Sequence, residues 1–312
     1  MINVLFAAPD HIWEEYKDVL PGALASAGLD AHILRLIDAF DPADVAYIVY
    51  APSSPLQDFT PYVNLKAVLN LWAGVEEIAP NRTLTAPLAR MVDYGLTEGM
   101  IEWCLGHTLR HHLEMDQDIT RTDRKWVPHV PPLARNRRVT ILGLGTLGRA
   151  VGEALSALRF DVAGWSRSEK SVEGMETFSG PVGLDAALAR ADILILLLPL
   201  TDDTKDLIGA DELARLPRGA FLINPGRGPL IVDEALIDAL DAGHVAHATL
   251  DVFRTEPLPP AHPFWRHPNV TVTPHVASDT RPESAADVLA ENIRRGEAGE
   301  PFLHLVDRDA GY

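Results

Sequence analysis

Three charged residues in the last third of the chain form a set with a chemical use. Arg227 lies in Asn224-Pro225-Gly226-Arg227-Gly228, Glu256 in Asp251-Val252-Phe253-Arg254-Thr255-Glu256-Pro257, and His275 in Thr273-Pro274-His275-Val276-Ala277-Ser278. A guanidinium presents a fork that matches the two oxygens of a carboxylate. An imidazole, with an ordinary pKa of about 6.5, can protonate a carbonyl oxygen as a hydride arrives near neutral pH. A carboxylate on the second ring nitrogen orients the imidazole and favours its charged form. Arginine, histidine and glutamate thus meet the three demands of reducing a 2-keto acid: grip on the substrate, delivery of the proton, orientation of the donor. Taken singly, each has a plainer use, as a surface charge after a strand, a satisfied histidine, or a turn at Glu256-Pro257.

A hydride needs a carrier, and the chain has a loop suited to one. Arg138-Val-Thr-Ile-Leu142 runs into Gly143-Leu144-Gly145-Thr146-Leu147-Gly148, and a helix-forming segment follows. In such a loop the first glycine makes the tight turn, the second lets a pyrophosphate approach the backbone, and the third lets the helix pack on the strand. The helix N-terminus offers free N–H groups and partial positive charge to the phosphates. About 20 residues further on, a site for NAD places an acid against the ribose 2′-hydroxyl. Here the segment is Gly164-Trp165-Ser166-Arg167-Ser168, with Lys170 close by. Arg167 can bond a 2′-phosphate, flanked by two serine hydroxyls, and no carboxylate stands there to repel it. NADP(H) is therefore the expected cofactor, with NAD(H) admitted as a second.

The elements that must position these groups alternate along the chain. Apolar or β-branched runs at residues 2–7, 31–36, 45–50, 67–71, 139–142, 160–164, 193–198, 220–223, 247–252 and 270–273 are separated in many places by helical patterns such as 12–27, 149–158, 184–191 and 234–242. Continuous apolar strands between amphipathic helices indicate parallel sheets covered on both faces, the α/β class. A helical stretch at 97–113 divides an early strand group from a later one, and 116–138 lacks clear periodicity. Pro282 can open a last helix that Gly296 closes. These features predict two doubly wound, Rossmann-like or flavodoxin-like domains joined by two long helices. Residues 1–98 with 284–312 make a discontinuous substrate domain, and 99–283 make a dinucleotide domain.

Composition narrows the partners. The net charge of −17 repels phosphate backbones, which argues against nucleic acid and anionic membranes. One cysteine, Cys104, leaves no internal disulfide and fits a reducing compartment. The apolar start reads as a first strand, and the longest apolar run, 193–199, is far short of the roughly 20 residues of a membrane helix. A cytoplasmic location is expected. His107, His111 and His112 share a helix without a matching third ligand, so a polar helix face is expected and no metal.

The sequence resembles the D-isomer-specific 2-hydroxyacid dehydrogenase family, most closely its glyoxylate/hydroxypyruvate reductase A-like branch. The matching segments are Trp72-Ala73-Gly74-Val75, the glycine loop, Leu198-Pro199-Leu200-Thr201, Asn224–Gly228, Leu250–Pro257, Thr273–Ser278 with Thr280-Arg281-Pro282, and Val306-Asp307-Arg308 with Gly311-Tyr312. The resemblance implies Arg227 as substrate anchor, His275 as acid and base, and Glu256 as its partner. It also implies a substrate-binding segment of Trp72, Ala73, Gly74 and Val75, whose backbone receives the carboxylate. The implied cofactor-binding set is Gly143, Gly145, Thr146, Leu147, Gly148, Ser166, Arg167, Ser168, Pro199, Thr204, Asp251, Ala277 and Ser278, with Asp251 on the nicotinamide carboxamide. A homodimer joined through the cofactor domain is implied as well. Trp72 stands where that branch often has a small residue, so an indole could narrow the pocket or form a wall for a larger side chain. The expected reaction is reduction of a short 2-keto acid by NADPH. The same chemistry on a branched or aromatic keto acid is a second reading, and a dinucleotide-sensing protein without turnover a third.

Overall fold

The structure is a computed structural model and describes residues 1–308, 310 and 311; the resemblance at Tyr312 lies outside the described residues. The chain divides into two compact units, Met1–Leu96 with Asp279–Tyr312, and Thr97–Ser278.

In the first unit, β1 (Ile2–Ala7), β2 (Ala31–Arg35), β3 (Tyr47–Tyr50), β4 (Ala67–Asn70) and β5 (Leu88–Ala89) form a parallel sheet in the order β2-β1-β3-β4-β5. That is the flavodoxin-like order. Successive side chains of a strand point to opposite faces, and the two cores of this unit sort accordingly. Val4, Phe6, Tyr47, Val49 and Leu69 meet helices on one face, while Leu5, Ala7, Ile48, Tyr50 and Val68 pack with Phe59, Ile78 and Leu84 on the other.

The helical stretch at 12–27 is two helices, α1 (Asp10–Tyr16) and α2 (Val19–Ser26). Pro21 has no N–H to give a preceding turn, and the break places it in the first turn of α2, where none is needed. Next come α3 (Tyr94–His112), which runs across the unit boundary, and the short α4 (Asp116–Ile119).

The second unit holds seven parallel strands: β6 (Arg138–Leu142), β7 (Asp161–Ser166), β8 (Glu176–Ser179), β9 (Ile193–Leu196), β10 (Ala220–Asn224), β11 (Val245–Leu250) and β12 (Val270–Val272). Their order is β12-β11-β10-β9-β6-β7-β8, the dinucleotide-binding arrangement extended by one strand. Connecting helices are α5 (Thr146–Ala157), α6 (Gly180–Ala189), α7 (Ala210–Arg215) and α8 (Asp233–Asp241). Chain order reverses between β6 and β9, and ligands of such sheets bind at that crevice beyond the carboxyl ends of the strands.

The last helix, α9 (Pro282–Ala298), opens at Pro282 as expected but does not end at Gly296. Gly296 is interior, and a Cβ there would lie 2.2 Å from the Tyr47 hydroxyl, so its job is close approach. The left-handed cap is Gly299, at φ +70°.

Candidate active site

The glycine loop sits at the carboxyl end of β6. Gly143 has φ +108°, and a Cβ on it would fall 2.3 Å from the Leu197 carbonyl oxygen, which follows β9. A Cβ on Gly148 would lie 1.8 Å from the Gly143 oxygen, so only glycine lets α5 come this close to the turn. Gly145 is the N-cap of α5, exposed, with nothing within 4 Å of its Cβ position. The first turn of α5 carries no acidic residue and no side-chain cap. Thr146 and the partly buried Leu147 thus begin a helix whose leading N–H groups suit an anion. These residues fit a dinucleotide pyrophosphate.

Beyond β7, the buried Ser166 turns its hydroxyl onto the Ser168 carbonyl at 2.7 Å, which folds the loop and leaves Arg167 and Ser168 exposed. Arg167 Nη1 lies 3.2 Å from Asp203 Oδ2 in the loop after β9. Lys170 Nζ donates to the Leu144 carbonyl at 3.1 Å and so ties this loop to the glycine turn. The Thr204 hydroxyl donates to the Pro199 carbonyl at 2.7 Å and accepts from the Thr201 N–H at 2.8 Å, which closes the 199–204 loop on itself.

Glu256 and His275 are brought together. His275 Nδ1 is 2.7 Å from Glu256 Oε2, and Glu256 Oε1 accepts the Phe253 N–H at 2.8 Å. One carboxylate is thereby shared between its own turn and the imidazole. The His275 side chain is 52% exposed, so a small molecule can reach it. Its backbone is left-handed, at φ +55°, and its N–H donates to the carbonyls of Asp251 (2.8 Å) and Thr273 (3.0 Å). A histidine in that region costs roughly 1–2 kcal/mol, which its surroundings must offset.

Those surroundings are largely Asp251, which is fully buried. Its Oδ1 accepts the Thr273 hydroxyl at 2.6 Å and the Val276 N–H at 2.9 Å, and its Oδ2 accepts the Ala277 N–H at 2.9 Å. The carboxylate implied for a nicotinamide carboxamide therefore already clasps the loop that bears His275. Ala277 is buried and Ser278 half-buried at the end of this loop.

Arg227 follows β10 on a turn closed by Asn224, whose side chain accepts from the Gly226 N–H (3.1 Å) and donates to the Arg227 carbonyl (2.9 Å). Arg227 Nη1 donates to the Gly226 carbonyl at 2.7 Å. A Cβ on Gly228 would lie 2.0 Å from the Phe253 carbonyl carbon, so glycine is what allows the Arg227 turn to rest on the Glu256 turn. Within the first unit, Asn70 donates to the carbonyls of Trp72 (2.7 Å) and Gly74 (2.9 Å), shaping the Trp72–Val75 loop. Val75 is buried, Ala73 and Gly74 half-buried, and Trp72 39% exposed, so the indole is no core residue.

Several contributors escaped the sequence reading. Asn70, Asn224 and Thr273 bond backbone or carboxylate, and only their places beside strand ends hinted at it. Arg308 donates to the carbonyls of Ala79, Asn81 and Leu84, pinning the turn after the Trp72 loop. The α3 histidines do not form a solvated polar face, because their flat rings fill gaps in an aromatic core. His111 stacks on Phe221 at 4.7 Å and shares a 2.9 Å hydrogen bond with Thr249, and His112 meets Phe160 edge-on. Burial drives His111 down to about 2 and the neighbouring His247 to about 4. Cys104 is fully buried, and burial raises its thiol far above the ordinary range.

Comparison with known proteins gives one consistent picture. Residues 103–277 match the family model described as D-isomer specific 2-hydroxyacid dehydrogenase, NAD binding domain. Glyoxylate/hydroxypyruvate reductase A of Serratia proteamaculans is 41% identical over 87% of this chain and 88% of its own, and that of Yersinia enterocolitica is 39% identical over the full length of both. A D-isomer specific 2-hydroxyacid dehydrogenase of Xanthobacter autotrophicus, solved with NADPH and MES, superposes with a TM-score of 0.90 at 41% identity over 99% of each chain. The NADPH-dependent glyoxylate/hydroxypyruvate reductase of Sinorhizobium meliloti, solved with NADP and sulfate, gives 0.89 at 35% identity over the whole of both.

Proposed function

This chain belongs to the D-isomer specific 2-hydroxyacid dehydrogenase family, and on that premise we propose that it uses NADPH to reduce glyoxylate, hydroxypyruvate or a similarly short 2-keto acid to the D-2-hydroxy acid. The observation that carries this reading is the 2.7 Å contact between His275 and Glu256, on loops at the same sheet edge as a glycine turn fitted to a dinucleotide. A protein that only sensed the dinucleotide would have no use for an oriented proton donor. The choice of NADPH is supported by Arg167 and Ser168 at the end of β7, and by the NADPH and NADP bound in the Xanthobacter and Sinorhizobium structures.

The bound nicotinamide would supply the hydride. Arg227 holds the substrate carboxylate. His275 bonds the keto oxygen through Nε2 and passes its proton there as the carbonyl carbon is reduced, while Glu256 steadies the ring and the charge it carries. Gly143, Gly145 and Gly148 with the N–H groups of Thr146 and Leu147 take the pyrophosphate. Asp251 would hold the nicotinamide carboxamide, and Ala277, Ser278, Pro199 and Thr204 would complete the cofactor site. The unit holding Trp72 is the substrate domain, and the unit Thr97–Ser278 the dinucleotide domain.

An apolar strip on the second unit supports self-association. Ile119, Trp126, Val130 and Leu133 are all at least 66% exposed along the segment after α3, an apolar strip suited to a second copy. A homodimer is supported on that ground. Among the described residues no helix is long and apolar enough to cross a membrane, and a lone buried thiol suits a reducing cytoplasm.

The test is NADPH oxidation, followed by absorbance of the reduced nicotinamide, across a panel of 2-keto acids. The highest kcat/KM is expected on glyoxylate or hydroxypyruvate. A maximum on a branched or aromatic keto acid would move the substrate class, and tight NADPH binding without turnover would overturn the enzymatic reading.

A further inference from the structure

One arginine gathers three loops at the active edge yet has no part in the proposed chemistry. Arg254 stands two residues before Glu256, and its side chain is 30% exposed. Its Nη2 donates both to Asp206 and to the carbonyl of Ile231, and its Nε lies 3.4 Å from Asp233 Oδ1. Asp206 belongs to the loop that leaves Thr204, and is itself left-handed at φ +58°, with its N–H on the Pro229 carbonyl at 2.8 Å. Ile208 donates to Leu230 at 2.9 Å and Val232 to Ile208 at 3.0 Å, so segments 206–208 and 229–232 are laced into one body. That body leads directly from the Arg227 turn. Asp233 also faces His262 Nε2 at 3.5 Å, and burial raises its carboxyl while Arg254 and His262 oppose the rise.

We infer that Arg254 is a positioning residue: its guanidinium bolts the turn that presents Glu256 to the body that presents Arg227, and so sets the carboxylate at hydrogen-bond distance from His275. Two carboxylates and a carbonyl converge there, and a five-donor fork satisfies all three at once. Without the fork, Asp206 and Asp233 repel each other. The 253–256 turn then keeps the packing of Phe253 against Gly228 and Phe264 and the bonds of Glu256 to the Phe253 N–H and to His275, but loses its side-chain tie to the body that carries Arg227.

The kinetic part of the test rests on the proposed reaction, and a second readout does not. In the full-length protein, Arg254→Gln is expected to lower kcat on the order of 10-fold, as a small displacement of a reacting constellation does, with the KM for NADPH unchanged. In a Glu256→Gln background the same substitution should change kcat less than about 2-fold, because residues that act as one unit are not additive. Equal fractional losses of kcat in both backgrounds, or an Arg254→Gln enzyme with wild-type kcat, would overturn the inference. Independently of turnover, hydrogen exchange of peptides spanning 250–258 should accelerate at least 10-fold in Arg254→Gln and less in Arg215→Gln, whose side chain bonds Asp185 and Glu212 elsewhere. Unaltered exchange at 250–258 would also overturn it. A wild-type protein that turns over no keto acid refutes the proposed reaction alone, and the exchange measurement then decides on Arg254.

Discussion

Asp251→Asn changes one atom at the centre of the site, and its effects follow from the contacts around it. The carboxylate is fully buried and accepts three donors, two at Oδ1 and one at Oδ2. In asparagine the amide oxygen can keep the two donors, which turns the NH2 group onto the Ala277 N–H, donor against donor. Losing a charge-assisted bond in a dry site costs about 1.5–3 kcal/mol, and the other two weaken as their acceptor becomes neutral. A total of about 3–4 kcal/mol corresponds to a fall in melting temperature of roughly 10 °C for a unit of this size. The left-handed backbone at His275 is held by the same clasp, so the imidazole should move and kcat should fall on the order of 100-fold. Thermal melting and initial rates at saturating NADPH measure both effects. Thr273→Val, which removes one donor but leaves the carboxylate charged, should cost only about 1 kcal/mol. An Asp251→Asn protein that melts with the wild type and keeps its kcat would refute the reasoning.

Other outcomes are accessible to simple assays. His111 and His247, held by burial at about 2 and about 4, stay neutral in the fold but take up protons on unfolding below about 6.5. Stability should therefore fall as pH drops from about 6.5 toward about 4, by up to about 1.4 kcal/mol per unit for His111 and less for the partly exposed His247; midpoints that fall just as steeply in His111→Gln would contradict this. Gly148→Ala forces a Cβ to 1.8 Å from a backbone oxygen, and should abolish NADPH binding measured by nicotinamide fluorescence. Arg167→Asp should cost at least 10-fold in kcat/KM with NADPH and little with NADH, and equal NADPH efficiency in both proteins would remove the 2′-phosphate assignment. His275→Ala should lose about 10²–10⁴-fold in kcat while still binding cofactor, and near-normal turnover across the pH range would show that the proton comes from elsewhere.

The fold and the contact at the centre of the site were legible because both depend on short-range patterns. Apolar runs at β3 and β9 are continuous because both faces of each strand are buried, and Gly143 and Gly148 mark steric limits that any side chain would breach. Glu256 and His275 were recognisable as a pair by residue type and order along the chain. What stayed hidden was three-dimensional. Nothing in the run at 97–113 distinguishes an exposed histidine from one stacked on Phe221, since the aromatic partner is more than a hundred residues away. The end of α9 was misplaced by three residues for a similar reason, because Gly296 answers to Tyr47 rather than to its own helix.

The hidden part explains how the exposed Glu256–His275 pair is held in place. His275 and Glu256 both reach solvent, at 52% and 34% side-chain exposure, and an ion pair so placed contributes little by itself. Its geometry is imposed from below. Asn224 fixes the Arg227 turn, the Phe253 N–H fixes one oxygen of Glu256, and Asp251 fixes the three residues around His275. All of these bonds except that from the Thr273 hydroxyl are made to backbone just beyond a strand end, where a parallel sheet leaves N–H and carbonyl groups without ladder partners. Buried side chains that satisfy those groups therefore do two jobs with one set of hydrogen bonds. They finish the sheet, and they set the angles at which the exposed groups emerge. Removing such a residue should disturb turnover and stability together, whereas removing His275 itself should disturb turnover alone.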